Sequence, residues 1–215
     1  TGNPLFWRQD LDLTFPHVFA ATWRMKLDDT TPSGVFTGIV VGWSNDKRAI
    51  VLGYLLDGGV RKMGFLKKGK GNDPSSLSAW GGGILPNGDP SGLPFDFDWS
   101  TLHSYRFFRG KDSIVRLFVD GEVIESLRVL EDDLPYLEEL NDPFDQLQGV
   151  YFGSLSREAA NTSTWDFVRC LVLPTNPLQT APSIFSAYEG NILPENNPTP
   201  WTPVGYHGNE SLLND

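Results

Sequence analysis

Residues 105–130, YRFFRGKDSIVRLFVDGEVIESLRVL, constrain the fold more than any other stretch of the chain. Tyr105, Phe107 and Arg109 alternate with Arg106 and Phe108, the period of two that a pleated strand imposes on its side chains. After the polar turn Gly110-Lys111-Asp112-Ser113, Val115, Leu117 and Val119 share one side of a second strand, opposite Ile114, Arg116 and Phe118. Asp120-Gly121 then supplies the residues that a two-residue hairpin needs, because both central positions take positive φ. A third strand follows over residues 123–130. Three strands joined by tight turns make an antiparallel meander, and this commits the chain to β architecture.

The rest of the chain extends the pattern. Residues 3–12, 19–27, 36–43, 48–56 and 60–66 read as strands separated by turn residues, at the spacing typical of sandwiches. Residues 67–100 break this rhythm with a long glycine- and proline-rich loop centred on Gly81-Gly82-Gly83 and ending in PFDFDW. Residues 131–148 carry Leu134, Leu137 and Leu140 at three-residue spacing, which suits a short helical turn laid over a sheet edge. Residues 149–155 and 165–173 read as the last strands of the central body. From Pro174 the chain turns proline-rich. Residues 1–173 are therefore expected to form one sandwich. Residues 174–215 are expected to be an extension that packs on its edge, completes it, or reaches a neighbour in a homo-oligomer or larger assembly. On this reading, removing residues 175–215 leaves a folded body.

Charge narrows the partners. Seventeen basic residues against 27 acidic ones give a net charge of −10, unsuited to nucleic acid or an anionic membrane, which attract positive surfaces. Arg61, Lys62, Lys67, Lys68 and Lys70 cluster in sequence and read as a solvated edge that discourages strand-to-strand aggregation. The single cysteine, Cys170, cannot form an intramolecular disulfide and reads as a small buried hydrophobe. No run of apolar residues is long enough for a spanning helix, so no membrane insertion is expected. The opening Thr1 is what a processed or excised segment would show. His17, His103 and His207 lack zinc-ligand spacing. Asn161-Thr162-Ser163 and Asn209-Glu210-Ser211 match the glycosylation acceptor pattern.

The succession of strands, Leu117-Phe118-Val119-Asp120-Gly121, Gly149-Val150-Tyr151-Phe152-Gly153 and Trp165-Asp166-Phe167-Val168-Arg169 together resemble the concanavalin A-like jelly-roll superfamily. Laminin-G-like and sialidase-associated lectin domains are the nearest likeness, over about residues 19–173. The resemblance implies an all-β antiparallel jelly-roll β-sandwich in an extracellular, cell-surface or virion-associated setting. Its members bind glycans, build virion and adhesin parts, or cleave polysaccharides, and fold alone does not choose among these.

Retaining glucanases of that superfamily place paired acids on one strand, about 5 Å apart, and no strand here carries them. Glu131-Asp132-Asp133 and Glu138-Glu139 read as a solvated acidic edge. A lyase-like set can be assembled from His103, Tyr105, Arg106, Tyr54 and Arg24, but nothing in the spacing singles it out. A non-catalytic, lectin-like module is the leading reading, ahead of a structural or assembly domain and a polysaccharide-cleaving enzyme. Arg24, Arg106, Arg116 and Arg169 each lie opposite the core residues of their own strands. If they share a concave sheet beside Tyr54, they line a groove suited to an acidic or sulfated sugar. Trp80 and Trp99 bracket the long loop, either folded onto the sandwich edge or forming a sugar-stacking platform. Asp96 and Asp98 are the candidate ligands for calcium.

Overall fold

The computed structural model describes residues 5–10, 19–27, 36–43, 47–57, 60–68, 97–139, 149–155, 163–172, 183–189, 196 and 201–205. They form twelve strands: β1 (Leu5–Asp10), β2 (Phe19–Leu27), β3 (Phe36–Gly42), β4 (Ala49–Asp57), β5 (Val60–Phe65), β6 (His103–Arg109), β7 (Ile114–Val119), β8 (Glu122–Leu130), β9 (Gly149–Leu155), β10 (Ser163–Val172), β11 (Ser183–Glu189) and β12 (Thr202–Gly205). Sheet I has the order β12-β1-β9-β3-β4-β5 and sheet II the order β11-β10-β2-β6-β7-β8. Every pairing is antiparallel. The chain is an all-β, two-sheet antiparallel sandwich in a jelly-roll, concanavalin A-like arrangement. No helix among the described residues is long and apolar enough to cross a membrane.

The central meander forms as its sequence predicts. Asp120 and Gly121 take φ of 50° and 91°, the left-handed values that a two-residue turn of this type requires. Val115, Leu117 and Val119 are buried between the sheets with Tyr105 and Phe107. Replacing any of the three by alanine is expected to cost about 2–4 kcal/mol through lost transfer energy and a residual cavity. Three neutral results in urea melts would remove this meander from the core.

The two sheets differ in how they are covered. In sheet II, β2, β6 and β7 alternate buried and partly exposed residues, so one face packs inward and the other meets solvent. In sheet I, Ile39, Leu52 and Phe152 face the interior. Their alternates Val40, Val51 and Tyr151, aligned across β3, β4 and β9, are also fully buried. Burial on both faces is why these strands read as nearly continuous apolar runs rather than as an alternation. At Gly38 an added Cβ would lie 2.1 Å from the Leu52 carbonyl oxygen, so the β3–β4 contact admits no side chain there.

The region after Pro174 supplies an edge strand to each sheet: β11 pairs with β10, and β12 pairs with β1. Between them Trp201 is buried, 1% exposed, and its Nε1 donates to the Ala187 carbonyl at 3.1 Å. Residues 183–189 and 202–205 are thus hydrogen-bonded members of the two sheets. The edge strand expected near residues 211–213 lies outside the described residues.

Two single turns of 3-10 helix, Glu131–Asp133 and Leu137–Glu139, form where a short helical turn was expected, and Leu134 and Leu137 are buried. Glu131 does not belong to a solvated acidic edge. Its carboxylate receives Nε and Nη2 of Arg109, which is 5% exposed, and lies 3.5 Å from Arg48 Nη1. Asp132 does stay in solvent, with a side chain 92% exposed.

Candidate functional site

The outer face of sheet II gathers side chains that the sequence scatters over 146 positions, from Arg24 to Arg169. Arg24 sits on β2, Arg106 on β6, Arg116 on β7 and Arg169 on β10, four strands adjacent in the order β10-β2-β6-β7. Each arginine is out of phase with the buried residues of its own strand, and each is exposed or half-buried. Arg169 lies in register with Thr22, Thr22 with Arg106, and Arg106 with Phe118, giving one row across the sheet.

Their environments differ. A bulge between Trp165 and Phe167 gives β10 an extra residue, Asp166, whose Oδ2 accepts from Arg24 Nη1 at 3.2 Å. Arg116 Nη2 donates to Asp112 Oδ2 at 2.6 Å. That hydrogen bond is the main reason the Asp112 carboxyl titrates below the ordinary aspartate range, helped by the Ile114 N–H. Arg106 and Arg169 stack instead on aromatic rings, 4.5 Å from the Phe118 centroid and 4.6 Å from the Phe167 centroid. The face therefore presents planar cations, two of them set over aromatic rings.

Tyr54 and Trp99 do not join this face. Tyr54 is on β4 of sheet I, in register with Thr37 and Met63, and points inward with 3% exposure. Trp99 is 8% exposed and meets Tyr54 edge-on at 5.0 Å, and Tyr54 meets Tyr105 edge-on at 5.7 Å. Burial, and secondarily the adjacent Tyr105, pushes the Tyr54 phenol well above its ordinary range. Burial does the same to Tyr105. Trp99 is thus folded onto the end of the core, the first of the two placements open to it. Trp80 and Asp96 lie outside the described residues.

A cluster at this end of sheet II escaped sequence reasoning. His103 Nδ1 is 2.6 Å from Asp120 Oδ2, and its Nε2 is 2.9 Å from both the Thr101 hydroxyl and the Asp98 carbonyl. Phe97 stacks on the His103 ring at 4.1 Å. Asp120 also accepts from the Ser104 N–H at 2.8 Å. Partial burial works against ionisation of Asp120, but the His103 and Ser104 hydrogen bonds and the nearby His103 and Arg24 charges together hold its carboxyl below the ordinary range. The Asp98 carboxylate is engaged locally, accepting from the Ser100 N–H at 3.0 Å and the Ser100 hydroxyl at 2.6 Å. Among the described residues no three His, Cys, Asp or Glu side chains group as they would around a metal. The Asp-Gly pair signalled the hairpin, but nothing local announced that its carboxylate would fasten the start of β6. Tyr105 and Arg106 point to opposite faces of β6, so His103, Tyr105 and Arg106 do not converge.

No family model and no curated protein matches the chain. Among solved structures it is similar to an alginate lyase from Pseudomonas aeruginosa, at 14% identity over 71% of this chain and 64% of that one, with a TM-score of 0.39. A cellulose-induced protein, Cip1, is similar at 16% identity over 71% and 66%, with a TM-score of 0.37. The binding domain of Paraclostridial mosquitocidal protein 1 is similar at 9% identity over 80% and 34%, with a TM-score of 0.34. The chain spans less than two thirds of the length of the lyase it matches. These are likenesses only, and the assignment to an antiparallel β-sandwich rests on the chain's own strand order and register.

Proposed function

We propose that this chain is a non-catalytic, lectin-like carbohydrate-binding module acting outside the cell, at a cell surface or on a virion, with its ligand on the outer face of sheet II. The observation that carries this reading is the convergence of Arg24, Arg106, Arg116 and Arg169 from four neighbouring strands onto one solvent-facing surface. Phe118 and Phe167 lie among them. Guanidinium groups supply bidentate donors to sugar carboxylates, sulfates and hydroxyls, and aromatic rings in contact with them restrict their motion. Among the described side chains of β3, β4 and β9, sheet I offers no equivalent surface, because both faces are buried there. Tyr54 and Trp99 pack in the core beside Tyr105 of β6, and Trp80 is the proposed residue for direct stacking. Calcium held by Asp96 and Asp98 is the proposed cofactor.

A glycan array followed by calorimetry, with and without calcium, tests this. Arg106 is exposed, so Arg106→Ala is expected to leave the melting curve in place. It should weaken binding about tenfold or more, the scale of one or two charge-assisted hydrogen bonds. Absence of binding to neutral, sialylated, sulfated and uronic-acid glycans would overturn the reading in favour of an assembly role, which light scattering would then reveal.

A further inference from the structure

Three arginines on the outer face of sheet II form an oblique line whose charge is balanced at its ends and not at its centre. Arg24 lies in register with Ser104 and Arg116 with Phe108, so they take diagonal positions on either side of Arg106. Diagonal neighbours on adjacent strands stand ~7–8 Å apart. The line therefore runs over β2, β6 and β7 with Arg106 in the middle.

The ends are already supplied with acids. Arg24 Nη1 meets Asp166 Oδ2 at 3.2 Å, and the Arg24 charge also acts on Asp120. Arg116 is held by both oxygens of Asp112, at 3.2 and 2.6 Å. Arg128 faces Arg116 from β8, and Glu125 acts on Arg116 from the same strand. This end thus carries two charges of each sign. Arg106 differs: it is exposed, its register partners Thr22 and Phe118 are uncharged, and among the described residues no carboxylate pairs with it.

The two environments recognise different groups. An open guanidinium suits a carboxylate, whose coplanar oxygens match its planar fork of donors. A guanidinium joined to a carboxylate presents N–H donors beside oxygen acceptors, the complement of a sugar hydroxyl, which both donates and accepts. A second anion at either end would meet the carboxylate already there. The net charge of −10 acts in the same direction, because it repels a densely charged polyanion more than a sparsely charged one.

Resting on the glycan-binding reading, we propose that the ligand is a sparsely acidic glycan, with one carboxylate taken by Arg106 and uncharged sugars on either side of it. Hydroxyls of those sugars bind the Arg24–Asp166 and Arg116–Asp112 pairs. Asp112 and Asp166 thereby select against polyanions.

Calorimetry of the whole chain at fixed salt, with four probes, tests this selectivity. The probes are xylotetraose bearing one glucuronate branch, xylotetraose itself, a galacturonate tetramer charged on every sugar, and a 12-mer oligodeoxynucleotide. The branched probe is expected to bind tightest. Arg106→Ala should weaken it about tenfold or more, to the level of xylotetraose. The double variant Asp112→Asn/Asp166→Asn removes two acids and keeps their shape. It is expected to raise affinity for the galacturonate tetramer about tenfold without strengthening the branched probe. Thermal melts of both variants check that the fold is kept, and the ranking of probes on the unaltered chain is independent of either. Equal affinity for xylotetraose and its branched form would overturn the single charge while the glycan face stood. Tighter binding of the galacturonate tetramer to the unaltered chain would do the same, as would a folded double variant that still rejects it. Binding of the oligodeoxynucleotide alone, or of no probe, would overturn the glycan reading together with the selectivity.

Discussion

Replacing Trp201 with alanine is expected to cost about 3–5 kcal/mol, enough to unfold most of a marginally stable domain. The indole is almost completely buried and packs edge-on against Phe152 at 4.9 Å. Phe152 in turn stacks on Tyr188 at 5.1 Å and contacts Trp165 at 5.0 Å. Trp201 directly precedes β12 at the edge of sheet I, and its N–H is bonded to Ala187 in β11 at the edge of sheet II. The residue thus closes the open side of the sandwich by joining its two edge strands. Trp201→Phe keeps most of the apolar burial and gives up the hydrogen bond, so its cost is expected to be about 1–2 kcal/mol. A truncation ending at residue 174 removes both edge strands and, with them, Tyr188 and Trp201 of this aromatic cluster, and is expected to lose cooperative unfolding. Urea melts of the three proteins test the claim. A truncated chain that melts like the full one would show that β11 and β12 merely decorate the edges.

Glu131→Ala is expected to be nearly as damaging, at about 3–5 kcal/mol, for an electrostatic reason. The Arg109 side chain is 7% exposed and Glu131 is 18% exposed. Removing the acid leaves a buried guanidinium without its carboxylate, and that uncompensated charge dominates the cost. The carboxylate also faces Arg48, which enters from the start of β4 in sheet I and donates to the Glu131 carbonyl at 3.2 Å. One acidic residue therefore ties an inward-facing cation of sheet II to the opposite sheet. The double variant Arg109→Met/Glu131→Leu removes both charges and keeps the volume, so it is expected to recover most of the lost stability. If Glu131→Ala alone proves neutral in the same melts, the pair is a surface contact and the cross-link is wrong.

These two cases show where local sequence ceases to be informative. The alternation in residues 19–27 and 105–119, the Asp120-Gly121 turn and the apolar runs of β3 and β4 were legible because each depends on side-chain period or on the φ a turn residue tolerates. The same alternation placed Arg24, Arg106, Arg116 and Arg169 on outer faces, since it compares each residue only with its own strand. Period cannot say which strands are neighbours, so it could not show that all four arginines share sheet II while Tyr54 lies on sheet I. Nor could it pair Arg24 with Asp166, 142 residues away, or His103 with Asp120 across the hairpin. Glu131 and Asp132 are adjacent and chemically alike, yet one is half-buried against Arg109 and the other stands in water. The segment after Pro174 read as an extension at the sandwich edge because proline disfavours the interior of a sheet. Edge strands need only one hydrogen-bonded side, and the tertiary structure had two edges to fill. Sequence alone determined that this chain is an antiparallel β protein with arginines outside its core. Long-range strand pairing decided which arginines form a surface and brought Asp166 beside Arg24.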